Sequence, residues 1–184
     1  SLGYLMIKQQ DAVGLTLFDS KIRTYVPPRS KSSHLNILFS QMNNIKSGPE
    51  TNISPILHKS AEAIKKRGLI VLISDLFDDP DDVLSGLKHF RYRGHEVIVI
   101  HTLDPQEIEL KFNERTRFRD METGDEIITE PWHIQEEYQK SIKDFCENYK
   151  RICRKNKIDY ILANTKEPLD VVLSEYLIKR KKLG

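Results

Sequence analysis

Apolar and polar positions along this chain sort into short strands and amphipathic helices, and the pattern is densest at residues 68–79, Gly-Leu-Ile-Val-Leu-Ile-Ser-Asp-Leu-Phe-Asp-Asp. Leu69 to Ile73 are apolar without interruption and mostly β-branched. No alternation appears, so the run predicts a strand covered on both faces, as in a parallel sheet between layers of helix. Gly68 before it and Pro80 shortly after it disfavour a continuous helix.

The rest of the chain fits around that strand. Residues 1–10 read as the end of a helix begun upstream, so the chain is expected to be a fragment. Residues 12–18 alternate with Val13, Leu15 and Leu17 on one face, Asp19-Ser20 turns, and residues 21–26 return with Ile22, Thr24 and Val26. The pair predicts an antiparallel hairpin, with Pro27-Pro28 stopping it. Ser32 and Ser33 are placed to cap a helix whose Leu35, Leu38, Met42 and Ile45 share a face. Ser54-Pro55 is a helix start, with Leu57, Ala61 and Ile64 inward.

Asp79-Pro80 starts a further helix in the same way, with Val83, Leu84, Leu87 and Phe90 as its inner stripe and Gly94 at its end. Residues 96–101 form a second buried strand. This helix–strand–helix–strand run predicts a mostly parallel sheet with right-handed crossovers and helices on both faces. Residues 115–130 make a small peripheral β-hairpin. Pro131 and Trp132 open a long helix carrying Ile134, Tyr138, Ile142, Phe145, Tyr149 and Ile152. A strand over 158–163 and a helix over 168–182 complete a single α/β domain, 1–184.

Composition narrows the class. With 184 residues, 39% hydrophobic and 30% charged, the chain can build an ordinary core. A net charge of +2 does not point to nucleic acid, and the basic stretch at 179–182 lacks the aromatics of a nucleic-acid surface. No run approaches the ~20 apolar residues of a membrane span, and no secretory leader is read at the start. Cys146 and Cys153 stand seven apart on a predicted helix, about 10 Å at its rise. That is beyond disulfide reach, so both are read as packing residues in a reducing, cytoplasmic setting.

Candidate chemistry gathers after the first buried strand. Asp75, Asp78, Asp79, Asp81 and Asp82 lie at its carboxyl end, the edge where open α/β sheets bind ligands. Asp78, Asp79, Asp81 and Asp82 also suit the N-terminal dipole of the following helix. An alternative function uses Asp75, Asp78 and Asp79 in Mg²⁺-dependent phosphoester hydrolysis, which requires their carboxylates to converge on one ion. His58 and His89 have no metal-like partner at helical spacing and are read as surface residues. No nucleophile–base pair and no phosphate-cradling glycine loop is found, so no catalytic or cofactor-binding residue is assigned.

The order Asp11-Ala-Val-Gly14-Leu-Thr-Leu-Phe18-Asp19, Pro27-Pro28, Thr51-Asn52-Ile53, Leu72-Ile-Ser-Asp75 resembles von Willebrand factor A-type domains. It is more closely similar to the bacterial proteins called domain of unknown function 58, which are associated with MoxR-type AAA+ ATPases. The resemblance covers essentially the whole chain and implies a Rossmann-like von Willebrand A-type fold. It also implies a metal-ion-dependent adhesion site for Mg²⁺ or Mn²⁺, in which Thr51 and Asp75 match two of the three ligand-bearing segments. The third, Asp-x-Ser-x-Ser, does not occur in this sequence. In the family its strand lies between those at 12–18 and 69–74, so the resemblance implies a chain lacking that strand and an incomplete metal site. The function so implied is protein–protein interaction, with an AAA+ ATPase as partner, no nucleic acid, and a homodimer if a second copy supplies the missing strand.

Overall fold

The computed structural model describes residues 2–45, 53–112, 114–119 and 124–168. Nearly all of the helix expected over 168–182 lies outside the described residues.

The architecture is mixed α/β. Strands β3 (Leu69–Ser74), β4 (Glu96–Leu103) and β7 (Asp159–Asn164) form a parallel sheet in the order β3-β4-β7. Ser74 pairs with His101, and Leu72, Val99 and Tyr160 lie side by side. The crossovers carry α4 (Pro80–Tyr92) and α6 (Gln135–Lys155). These helices and α3 (Ile53–Ala63) pack on one face, where Leu57, Ala61, Leu72, Leu87, Phe90, Val99, Tyr149 and Cys153 form the main core. On the other face Ile98, Ile100 and Ala163 pack with Leu2 of α1 (Leu2–Lys8).

The strand buried on both faces is therefore β4, where residues 97–101 are all buried. The expectation that residues 69–73 would be enclosed is not met. They form a strand, but at the margin of the sheet, with Leu69 37% and Ile73 63% exposed. Period 2 explains the split. Ile70 and Leu72 face the helices, whereas Leu69 and Ile73 project from the opposite face. Among the described residues no strand pairs with the outer edge of β3.

The antiparallel pair β1 (Val13–Phe18) and β2 (Ile22–Arg29) is a sheet of its own and not an edge of the parallel one. Pro27 and Pro28 do not stop it. β2 runs through both to pair Arg29 with Val13, with a register shift between Val13 and Leu15. Both members of a two-stranded sheet are edges, so a proline lacking its N–H is tolerated there. Phe18 at the end of β1 reaches the main core.

In α2 (His34–Asn43), Ser33 has helical dihedrals and no side-chain cap. Only His34 and Leu38 are buried, and the expected inner residues Met42 and Ile45 are exposed. The His34 ring, with Nε2 3.0 Å from the Val13 carbonyl, ties α2 to β1 instead. The peripheral hairpin forms as β5 (Thr116–Arg119) with β6 (Glu126–Thr129). A short helix, α5 (Pro105–Glu109), lies between β4 and β5 and starts with a capping box of Asp104 and Glu107. Its five residues leave no room for a periodic stripe.

Two close approaches fix the layer that holds the site. Gly94 ends α4 at φ +85°, a left-handed conformation suited to glycine. Gly86 sits at the contact of α4 with α3, where an added Cβ would stand 2.5 Å from Leu57 Cβ.

Candidate functional site

The loop joining β3 to α4 sits at the carboxyl edge of the sheet, and its own polar groups build it. The Leu76 N–H donates to Ser74 Oγ at 3.1 Å, and Leu76 takes left-handed dihedrals (φ 57°) with its side chain fully buried. Tyr149 from α6 donates its hydroxyl to the Leu76 and Asp78 carbonyls, at 3.2 and 3.3 Å. Burial and the neighbouring carboxylates raise the Tyr149 phenol far above its usual range, so it remains a donor.

The acids of the loop divide by task. Asp79 is the N-cap of α4, and its Oδ1 accepts from the Asp81 and Asp82 N–H groups at 2.9 and 3.1 Å. Asp81 and Asp82 lie in the first turn of α4 and face solvent, as the helix dipole favours. Asp78 does something else. Its Oδ2 accepts from the Ile53 N–H at 2.8 Å, at the start of α3, while its Oδ1 accepts from the Asp79 N–H at 2.8 Å. One carboxylate thus joins the beginnings of two helices.

Asp75 is exposed and, among the described residues, makes only long contacts to Ser74 Oγ (3.4 Å) and the Phe77 N–H (3.5 Å). Of the two residues matched to a metal site, Asp75 is therefore displayed on the rim, and Thr51 lies outside the described residues. Asp78 and Asp79 are committed to backbone amides. Among the described residues no three His, Cys, Asp or Glu side chains stand together as metal ligands.

Apolar groups flank Asp75. Ile73 is bare, and Phe77 is 51% exposed while stacking on Phe145 at 5.6 Å. Along the chain the exposed carboxylate is thus preceded by an exposed aliphatic residue and followed by a half-exposed aromatic one.

Beneath the loop lies a group that periodicity did not single out. His101 ends the buried run of β4 and is fully enclosed, with Phe145, Tyr149 and Tyr160 rings 5.6–5.8 Å from its own. Its Nδ1 shares a 2.7 Å hydrogen bond with the Tyr160 hydroxyl, and among the described residues its Nε2 makes no hydrogen bond of good geometry, the Asp75 carbonyl being only a weak neighbour. Burial lowers the His101 pKa, with the Asp75 carbonyl and charge pulling weakly the other way. The only sequence signal was a histidine closing an otherwise apolar strand.

The sign of the resulting pH dependence follows. Unfolded, His101 takes up a proton near pH 6.5. Folded, it resists that proton until lower pH. Stability should therefore fall as pH drops from about 7 through the lowered native value and level off below it. The expected result is a urea midpoint that declines between pH 7 and 5, with a shallower slope in His101→Gln.

Cys146 and Cys153 are buried and unbridged, as expected of packing residues. Burial pushes the Cys153 thiol up to about 12 and raises Cys146 as well. His58 and His89 are not separate surface residues. The structure brings them together, half-buried, with Nδ1 atoms 3.1 Å apart.

Residues 1–147 match the family described as "Protein of unknown function DUF58". No curated protein matches the sequence. Among solved structures the chain is similar to the crystal structure of an aerotolerance-related membrane protein from Bacteroides fragilis carrying multiple mutations to serines. The two share 17% sequence identity over 91% of this chain and 79% of that one, with a TM-score of 0.55. At that identity the likeness concerns the fold. Among the described residues of this chain, no helix is long and apolar enough to cross a membrane.

Proposed function

The chain belongs to the DUF58 family, and on that footing we propose that it is a protein–protein docking module of von Willebrand A-like type, working with a MoxR-type AAA+ ATPase in assembly or chaperone-like processes. The observation that carries this reading is the Asp75 rim, where an exposed carboxylate is held on a pinned loop between the bare Ile73 and Phe77. Apolar area supplies association energy, and a fixed acid supplies orientation and discrimination between partners. The outer edge of β3, unpaired among the described residues, adds backbone groups to which an extended partner segment, or a strand from a second copy, can pair.

Asp75 also retains the capacity to hold a hard cation, because neither of its oxygens is taken by a short hydrogen bond. Mg²⁺ or Mn²⁺ is the ion proposed, with Thr51 as second ligand and an acidic side chain of the partner completing the shell. The ion would lend a charge-bridged contact to docking. The hydrolase alternative is weaker, because Asp78 and Asp79 face helix amides rather than a shared ion. A cytoplasmic location is the companion proposal, consistent with two unbridged thiols.

Co-purification of the protein with its AAA+ ATPase, with and without Mg²⁺, is the test. Asp75→Ala is expected to reduce capture at least tenfold in Mg²⁺ while leaving the melting temperature nearly unchanged. Equal capture by the wild type and Asp75→Ala would remove Asp75 from the reading, and absence of association under any condition would end it.

A further inference from the structure

The geometry points to a second site, a two-histidine clip for a late first-row divalent ion such as Zn²⁺, formed by His58 of α3 and His89 of α4. The two Nδ1 atoms are 3.1 Å apart and the rings are tilted at 46°. Two imidazole ligands about 2.0–2.1 Å from one ion, at tetrahedral or octahedral angles, stand about 2.9–3.4 Å from each other. The observed separation falls in that interval.

Local packing explains why the rings meet. Gly86 lets α4 press against Leu57 of α3, and His58 and His89 lie one residue and three residues beyond that contact. The outer nitrogen of His58 also has a polar neighbour. Ser85 Oγ lies 3.4 Å from His58 Nε2. A proton on Nε2 donated to Ser85 leaves the Nδ1 lone pair free, the outer contact that typically fixes the tautomer of a ligating histidine. In the metal-free protein the two Nδ1 atoms share one hydrogen bond, one ring donating and the other accepting. Binding an ion moves the shared proton to the outer nitrogen of the donating ring through solvent, so that both Nδ1 lone pairs face the metal.

Because no third His, Cys, Asp or Glu joins the pair among the described residues, water fills the remaining positions. Imidazole nitrogens favour Zn²⁺, Cu²⁺ or Ni²⁺ over Mg²⁺ or Mn²⁺, so this site is chemically distinct from the Asp75 rim. Its effect would be to clamp α3 to α4, the two helices whose starts Asp78 joins.

Calorimetric titration of the full chain with Zn²⁺ at pH 7.5 should show one equivalent bound. Affinity should fall at least tenfold in His58→Gln and in His89→Gln. Thermal melting should rise by roughly 5–10 °C once free Zn²⁺ stands a hundredfold above its Kd. X-ray absorption on the Zn²⁺-loaded wild type should show two imidazoles, which decides the matter even if a variant misfolds. Binding unaffected by either substitution, sulfur in the coordination shell, or no binding at all would leave His58 and His89 as a simple hydrogen-bonded pair and overturn the proposal.

Discussion

Replacing Tyr149 with alanine is expected to cost about 3–5 kcal/mol, the range for truncating a buried aromatic side chain. Tyr149 is fully buried in the main core and is the only described side chain that reaches the Asp75 loop from α6 by hydrogen bonds. Tyr149→Phe separates its two roles. It keeps the ring but removes the hydroxyl bonds to the Leu76 and Asp78 carbonyls, the former retaining the Asp78 N–H at 2.7 Å, a loss of roughly 1–2 kcal/mol. Urea denaturation should therefore rank wild type above Tyr149→Phe and Tyr149→Phe above Tyr149→Ala. Hydrogen exchange should show the Leu76 and Asp78 amides losing protection in Tyr149→Phe while the β4 amides keep theirs. Uniform loss across both regions would mean that the hydroxyl supports the whole core rather than the loop.

Gly86→Ala tests the helix contact that underlies the histidine pair, and two effects oppose each other there. Alanine is better than glycine within a helix by about 1 kcal/mol. Against that, the new Cβ would stand 2.5 Å from Leu57 Cβ and 3.0 Å from Leu57 Cδ1. Overpacking of this kind costs roughly 1–3 kcal/mol. Because the nearest atom is a Cβ, rotating the leucine side chain gives no relief, and α3 and α4 must move apart. A net loss of up to about 2 kcal/mol is expected, measured by the urea midpoint. Leu57→Ala should not rescue it, since that change leaves the offending atom in place. A Gly86→Ala protein as stable as the wild type would mean that the two helices yield easily.

Much of this was legible before any coordinates. Asp79-Pro80 announced a capped helix, and the cap is formed as read. The parallel pairing of residues 69–74 with 96–101 followed from the alternation of helix and strand. Periodicity misled at β3 because five apolar residues in succession look the same in an enclosed strand and in a marginal one with a bare face. A pattern along one chain does not count neighbours. Pro27 and Pro28 misled for a related reason, since they stop only a strand that needs both edges.

The candidate site was half legible. Asp75 at the end of β3 was named from the sheet-edge rule. The roles of Asp78 and His101 depend on partners 25 and 59 residues away. No local spacing reveals that His58 and His89 meet, because their approach depends on the missing side chain of Gly86.

The sealed thiols offer a practical consequence. A thiol reagent needs both access and a thiolate, and Cys153, fully enclosed with its pKa near 12, provides neither while α6 stays docked. Alkylation of Cys153 should therefore proceed only as fast as that helix lifts away. The chain thus carries its own chemical clock for opening, and any partner that clamps the layers together would be registered as a slower tick.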